Sequence, residues 1–98
     1  MPAAARKGDL STGHGCFPPT ICRDPVSTRT FINSLLAQIQ SSTHLEHRCG
    51  TVHLEEVRKT NNGSQTVFIE NKRAQRIGDS IICGDTVGQG SDNVFIGG

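Results

Sequence analysis

A small, mainly β fold is what this sequence predicts: short β-hairpins from about three pseudo-repeats, their turns converging at one end where a metal can pin them. Three observations carry that expectation. A short strand-forming pattern recurs three times. Gly-Asp turns recur between the copies. Histidines and cysteines gather in the segments that join them.

The chain has 98 residues, so one domain spanning 1–98 is expected. Its apolar content is 34% and its aromatic content 4%, with neither Trp nor Tyr. A short chain with so little apolar material needs a metal, a disulfide or a partner to hold it. Eleven glycines and a charged fraction of 19% describe a turn-rich chain rather than a helical one. The net charge is +1 and no basic stripe is present, so nucleic-acid binding has no support. No apolar run approaches the ~18 residues of a membrane span. The opening MPAAARKGDL lacks the apolar segment of a secretory signal. The expected place of synthesis is therefore a cytoplasm, where Cys16, Cys22, Cys49 and Cys83 read as reduced thiols or metal ligands. In an oxidising space Cys16 and Cys22 would be the pair to consider.

In chain order, ARKGDLSTGHG (5–15) opens with a Gly-Asp turn and ends near His14, and Pro18-Pro19 forces an extended entry into the first strand copy. That copy is VSTRTFIN (26–33), with Ser second and Phe-Ile sixth and seventh. It continues into SLLAQIQSS (34–42) as its return strand. Helical spacing of Phe31, Leu35 and Ile39, with Ile32 and Leu36, keeps an amphipathic helix open over 31–48. The repeat register favours the hairpin, and a helical turn near 42–47 suits both. GSQTVFIE (63–70) is the second copy, and NKRAQRIGDS (71–80) shares Ala-Gln with its counterpart. QRIGDSIICG (75–84) echoes residues 5–15 and ends near Cys83. GSDNVFIG (90–97) is the third copy, cut off after its first strand. The β-branched and aromatic residues of TVFI and NVFI, bounded by glycine and serine, are strand formers.

HLEHRCGTVH (44–53) places His44, His47, Cys49 and His53 within ten positions. Neutral imidazole and thiolate are the preferred zinc ligands, four to a closed structural site. No C-x-x-C pair exists. If the hairpin turns converge, His14 arrives from the first, His47 and His53 from the second and Cys83 from the third, with His44 and Cys49 as spare donors. The alternative is a local site of His44, His47, Cys49 and His53 in an adaptor of another fold. Glu46 or Glu55 would serve as a catalytic base only beside an open coordination position. Four protein ligands leave none, so no enzyme is expected.

RKGDLSTGHG, TVFIENKRAQRIGDSIICG and GSDNVFIGG together resemble the PAAR-repeat family, the tip proteins of type VI secretion systems and contractile phage tails. The resemblance implies a cone of short hairpins whose point holds one zinc ion per chain, bound by three histidines and one cysteine. By matching position these are His14, His47, His53 and Cys83, and a register shift would put His44 in the place of His47. Two departures stand out: Ser34 replaces a turn glycine, and Gln40-Ser41 or Ser41-Ser42 stands where Gly-Asp belongs. The resemblance further implies one cap per trimeric β-helical spike. The threefold recurrence of the repeat offers Phe31, Phe68, Phe95 and Ile96 as partner-binding residues at the base, with plain core packing as the alternative for the Phe residues and the strand edges as the other docking element. It also implies transient contact with a target membrane and a place at a virion tail tip or secretion-apparatus tip after synthesis in the bacterial cytoplasm. The stop at Gly98 reads as a tip without an appended toxin domain.

Overall fold

The recurring Phe-Ile pairs each sit on a short extended segment with an antiparallel neighbour. The computed structural model describes all 98 residues. β1 (Phe31–Ile32) pairs with β2 (Leu35–Leu36), β3 (His47–Cys49) with β4 (Thr51–His53), and β5 (Phe68–Ile69) with β6 (Lys72–Arg73). The β1–β2 turn holds Asn33 at φ 54° and Ser34 at 68°, and the β5–β6 turn holds Glu70 at 53° and Asn71 at 70°. Two consecutive left-handed residues make the turn whose twist matches a hairpin. Ser34 thus does the work expected of a glycine.

The same dihedral angles exclude a helix over 31–48, because a right-handed helix cannot pass through Asn33 and Ser34 at positive φ. Nor does a helical turn form near 42–47. Thr43 bridges Lys59 and His44 bridges Cys22 instead. The 3-10 turn of the chain lies at Glu55–Val57. No helix is long and apolar enough to cross a membrane.

The third copy is not truncated: the other end of the chain completes it. Ala4 N–H donates to Val94 C=O at 2.9 Å, and Ser91 N–H to Ala4 C=O at 2.8 Å. The first copy makes the same two bonds through Ala37 with Thr30 and Ser27, the second through Ala74 with Val67 and Ser64. The segment that begins the chain is therefore the return strand of the segment that ends it.

These three return strands meet in a closed ring. Ala5 N–H donates to Gln75 C=O at 3.0 Å, Gln75 N–H to Gln38 C=O at 3.2 Å, and Gln38 N–H to Ala5 C=O at 3.0 Å. A ring of three such bonds defines a pseudo-threefold axis. Ala4, Ala37 and Ala74 stand next to it with no exposed surface, and with Ile32 and Ile96 they form the apolar core. Three backbones this close leave room for a methyl group and little more, which explains the Ala-Gln shared between copies.

Each copy then turns through a matching corner. Asp9 accepts from the N–H and guanidinium of Arg6, and Asp79 does the same for Arg76. In the middle copy Ser42 Oγ accepts from Ile39 N–H at 3.0 Å, with Ser41 at φ 81° where the others have Gly8 at 90° and Gly78 at 93°. Ser41-Ser42 is thus the structural equal of Gly-Asp. Buried polar residues outnumber buried apolar ones, so satisfied hydrogen bonds, rather than apolar mass, organise this interior.

Along the strands the side chains alternate. Phe31, Phe68 and Phe95 are 62%, 56% and 50% exposed, whereas Ile32 and Ile96 point into the core. Ile96 is accordingly a core residue and not part of an exposed partner-binding set, because strand periodicity sends it to the face opposite Phe95.

Ser41 carries a strain that glycine would not. Ser41→Gly should raise stability by about 0.5–1 kcal/mol, read as a shift in the urea midpoint at unchanged slope. His44 is fully buried, and neither ring nitrogen has a hydrogen-bond partner. Burial pushes its pKa down to about 4, with the Arg58 charge acting in the same direction. Because the folded pKa lies below the unfolded one, the unfolded chain takes up the proton first, and stability falls as pH drops from about 6.5 towards 4. The loss should approach about 3 kcal/mol. It should appear in the difference between wild type and His44→Leu when both are unfolded across that range.

Candidate metal centre

Two of the candidate ligands face each other because of strand register. His47 on β3 lies directly opposite His53 on β4, and residues opposite each other in an antiparallel pair project from the same face. They therefore lie in strands, not in turns as the sequence suggested. His14 arrives from a tight turn in which it and Phe17 exchange backbone hydrogen bonds of 2.9 and 3.1 Å. Cys83 follows the second copy, held by a turn in which Gly84, at φ 100°, donates its N–H to Ile81 C=O.

One ligand atom from each of His14, His47, His53 and Cys83 lies within 4.8 Å of all the others. His47 Nε2 is 3.3 Å from His14 Nε2 and 3.0 Å from His53 Nδ1, and Cys83 Sγ is 3.9 Å from His14 Nε2. Tetrahedral zinc at usual bond lengths needs nitrogens about 3.3 Å apart and sulfur about 3.6 Å from nitrogen. The donor set and its spacing suit a closed four-coordinate ion. Residues from three loops, separated by up to 69 positions in the chain, thus form one group that can hold a metal.

The protonation of His47 favours this. Its Nδ1 is 2.9 Å from the Pro18 carbonyl, which can only accept, so Nδ1 carries the proton and the Nε2 lone pair faces the cluster. Burial lowers its pKa; the Pro18 carbonyl opposes this, and the charges of Arg58 and His14 add to the lowering. The neutral form is the metal-binding form.

His44 and Cys49, the spare donors, are not brought to the group. His44 is drawn into the core one turn away, as the bridge partner of Cys22. Cys49 is bonded to Cys16 as a disulfide, with Cα atoms 5.7 Å apart. The expectation of reduced thiols thus holds for Cys22 and Cys83 and fails for Cys16 and Cys49. The reason is spatial: the β3–β4 turn lies against the His14–Phe17 turn, while Cys22 is buried away from both. Burial pushes the Cys22 thiol up to about 12. A purely local site at 44–53 does not form. Glu46 is paired with Arg48 at 2.8 Å, and Glu55 accepts from Thr43 Oγ1 at 2.9 Å.

Three neighbours of the group escaped the sequence reading. The Phe17 ring touches all three imidazoles: it stacks on His14 and His53, with centroids 5.0 and 4.0 Å away, and lies tilted against His47 at 4.7 Å. It covers one side of the group with apolar surface. Its sequence signal was faint: it is the one Phe of four outside the repeat pattern. On another side Arg58 and Asp85 form a salt bridge of 3.1 Å with neither side chain exposed. Burial pushes the Asp85 carboxyl up, but hydrogen bonding from Ser11, Thr12, the Thr86 N–H and Arg58 prevails and holds it below the usual range. Arg58 and Asp85 occupy corresponding places in their copies, since Arg58 C=O accepts from His44 N–H as Asp85 C=O accepts from Ile81 N–H. Only the three-dimensional register reveals that correspondence.

No known family model matches the chain, and no curated protein matches it in sequence.

The purified protein should bind one divalent metal ion per chain. His14→Ala or Cys83→Ala should abolish this, while His44→Leu and Cys49→Ser should retain it, as read by metal-to-protein ratio. The disulfide and the His14–His47 pair both close loops with a separation of 33 residues. Only the covalent closure acts on the unfolded chain, by about 3–4 kcal/mol for a loop of this length, whereas an ion acts by binding the folded chain. Reducing the disulfide should therefore cost about that amount in metal-free and in loaded protein alike, as seen in denaturant titrations.

Proposed function

We propose that the protein is a zinc-bearing, non-enzymatic tip of the PAAR-repeat kind. It caps the trimeric β-helical spike of a phage tail or type VI secretion apparatus and sharpens it for entry into a target envelope. The observation that carries this reading is the set Phe31, Phe68 and Phe95. All three are half or more exposed, and they stand at equivalent places in the three copies around the axis.

Such a set suits a partner with true threefold symmetry. One chain with three near-equivalent faces makes matched contacts with three identical subunits, which no ordinary monomer surface can do. The blunt end of a β-helix has unpaired strand edges and open core, a surface that calls for a cap. Apolar rings at these places would cover it.

The ion belongs to the same reading. Three imidazole nitrogens and one thiolate favour zinc over magnesium or calcium. Zinc undergoes no redox change, and when bound it would fasten the three loops into one rigid point. His14, His47, His53 and Cys83 would hold it, with Phe17 excluding water from one side. Contact with the target membrane is transient and mechanical, and no turnover is needed.

Mixed with a trimeric β-helical spike from the same source, the protein should give a complex of one chain to three, measured by native mass. Changing Phe31, Phe68 and Phe95 together to Asp should weaken that complex at least about 100-fold, since three buried aromatic anchors are lost, while the metal content stays unchanged. A different stoichiometry, or an equally tight complex of the triple variant, would count against the proposal.

A further inference from the structure

Arg58 is the largest side chain in the protein with no exposed surface, and it stands beside the metal-ligand group. A buried arginine is costly unless every donor is satisfied. Its Nε donates to Leu45 C=O at 2.9 Å. Its Nη2 donates to Thr20 Oγ1 at 2.7 Å and Ser11 Oγ at 3.1 Å. Its Nη1 donates to Asp85 Oδ2 at 3.1 Å and Cys83 Sγ at 3.2 Å, and lies 3.0 Å from His47 Nε2. The guanidinium plane is thus held from one side by Leu45, Thr20, Ser11 and Asp85, none of them a metal ligand. Its remaining donor capacity is aimed at two residues that are.

We infer that Arg58 is a positioning residue for the metal centre: it holds Cys83 and His47, which lie 36 residues apart in the chain, at ligand spacing, and it donates a hydrogen bond to the cysteine sulfur when the ion is bound. This rests on the metal-centre reading above and not on the spike-capping proposal. Nη1 carries two hydrogens. One serves Asp85, and the other is shared between the sulfur and the imidazole nitrogen. Once His47 Nε2 gives its lone pair to an ion, the shared hydrogen is left to Cys83 Sγ. A sulfur that accepts a hydrogen bond gives less electron density to the metal. Groups that orient ligands in this way usually govern affinity by about 10- to 100-fold. The arrangement also explains why a charge is tolerated in the interior: Asp85 neutralises the guanidinium, and Thr12 Oγ1 at 2.8 Å and Thr86 N–H at 2.7 Å in turn satisfy Asp85.

The test uses cobalt(II) as the probe in wild type, in Arg58→Lys, and in the neutral pair Arg58→Met with Asp85→Asn, which leaves no unpaired buried charge. Ile32→Val, a core change away from the apex, controls for general destabilisation. Wild type should show the intense tetrahedral cobalt spectrum with a sulfur-to-metal band. In the neutral pair that band should move to lower energy, and the ion should be lost to a chelator about 10- to 100-fold faster. Arg58→Lys should lie between the two, and Ile32→Val should match wild type. A band position and release rate in the Arg58 variants equal to those of wild type would overturn the inference. If the neutral pair fails to fold, Arg58→Lys decides by the same two readouts. Failure of wild type itself to bind cobalt would instead remove the metal-centre reading on which the inference rests.

Discussion

A ring of three backbone hydrogen bonds, Ala5 to Gln75 to Gln38 and back to Ala5, is the constraint on which the rest of the structure depends. It joins three chain segments, one of them beginning near the first residue, around a common axis. The hairpins and corners on either side of the ring inherit its symmetry. On one side stand the hairpins with their outward Phe and inward Ile residues; on the other come the Asp9, Ser42 and Asp79 corners and then the ligand-bearing loops. The ring also explains how a chain with only 34% hydrophobic residues can fold. Its interior is held largely by directional backbone bonds that recur in the three copies, and such bonds need little apolar volume.

Symmetry is kept where it is structural and broken where chemistry is concentrated. The hairpins and corners obey the threefold pattern closely. Beyond them the equivalent positions diverge: Ser11, His44 and Ile81 in one set, Thr20, Arg58 and Asp85 in the next. Divergence lets three unlike residues on the axis complement one another, as the arginine, aspartate and threonine do. It also accounts for His44, a histidine left without partners in a place where the other copies have serine and isoleucine. The disulfide between Cys16 and Cys49 and the His14, His47, His53, Cys83 group then tie the same turns together at the point. Two kinds of closure thus act on a region that has almost no apolar core of its own.

Much of this was legible in the chain. The spacing of Ser and Phe-Ile determined the three strands, and the strand reading of 31–36 came from register against 68–73. The Gly-Asp echoes determined the corners, and they directed attention to His14 and Cys83. What misled was local: the helical spacing of Phe31, Leu35 and Ile39 is real, but two left-handed residues interrupt it. The thiol reading of Cys16 and Cys49 came from compartment, which says nothing about which turns touch.

The sequence by itself determined the repeat, the alternation within each strand and the supply of soft ligands, because these depend on neighbours a few residues apart. Only the tertiary structure decided that the last copy is completed by the first residues, that His44 and Cys49 are withdrawn from the ligand set, and that Phe17, Arg58 and Asp85 surround it. Those outcomes turn on which distant segments the axial ring brings into contact, and contact between distant segments leaves no periodic trace in a single chain.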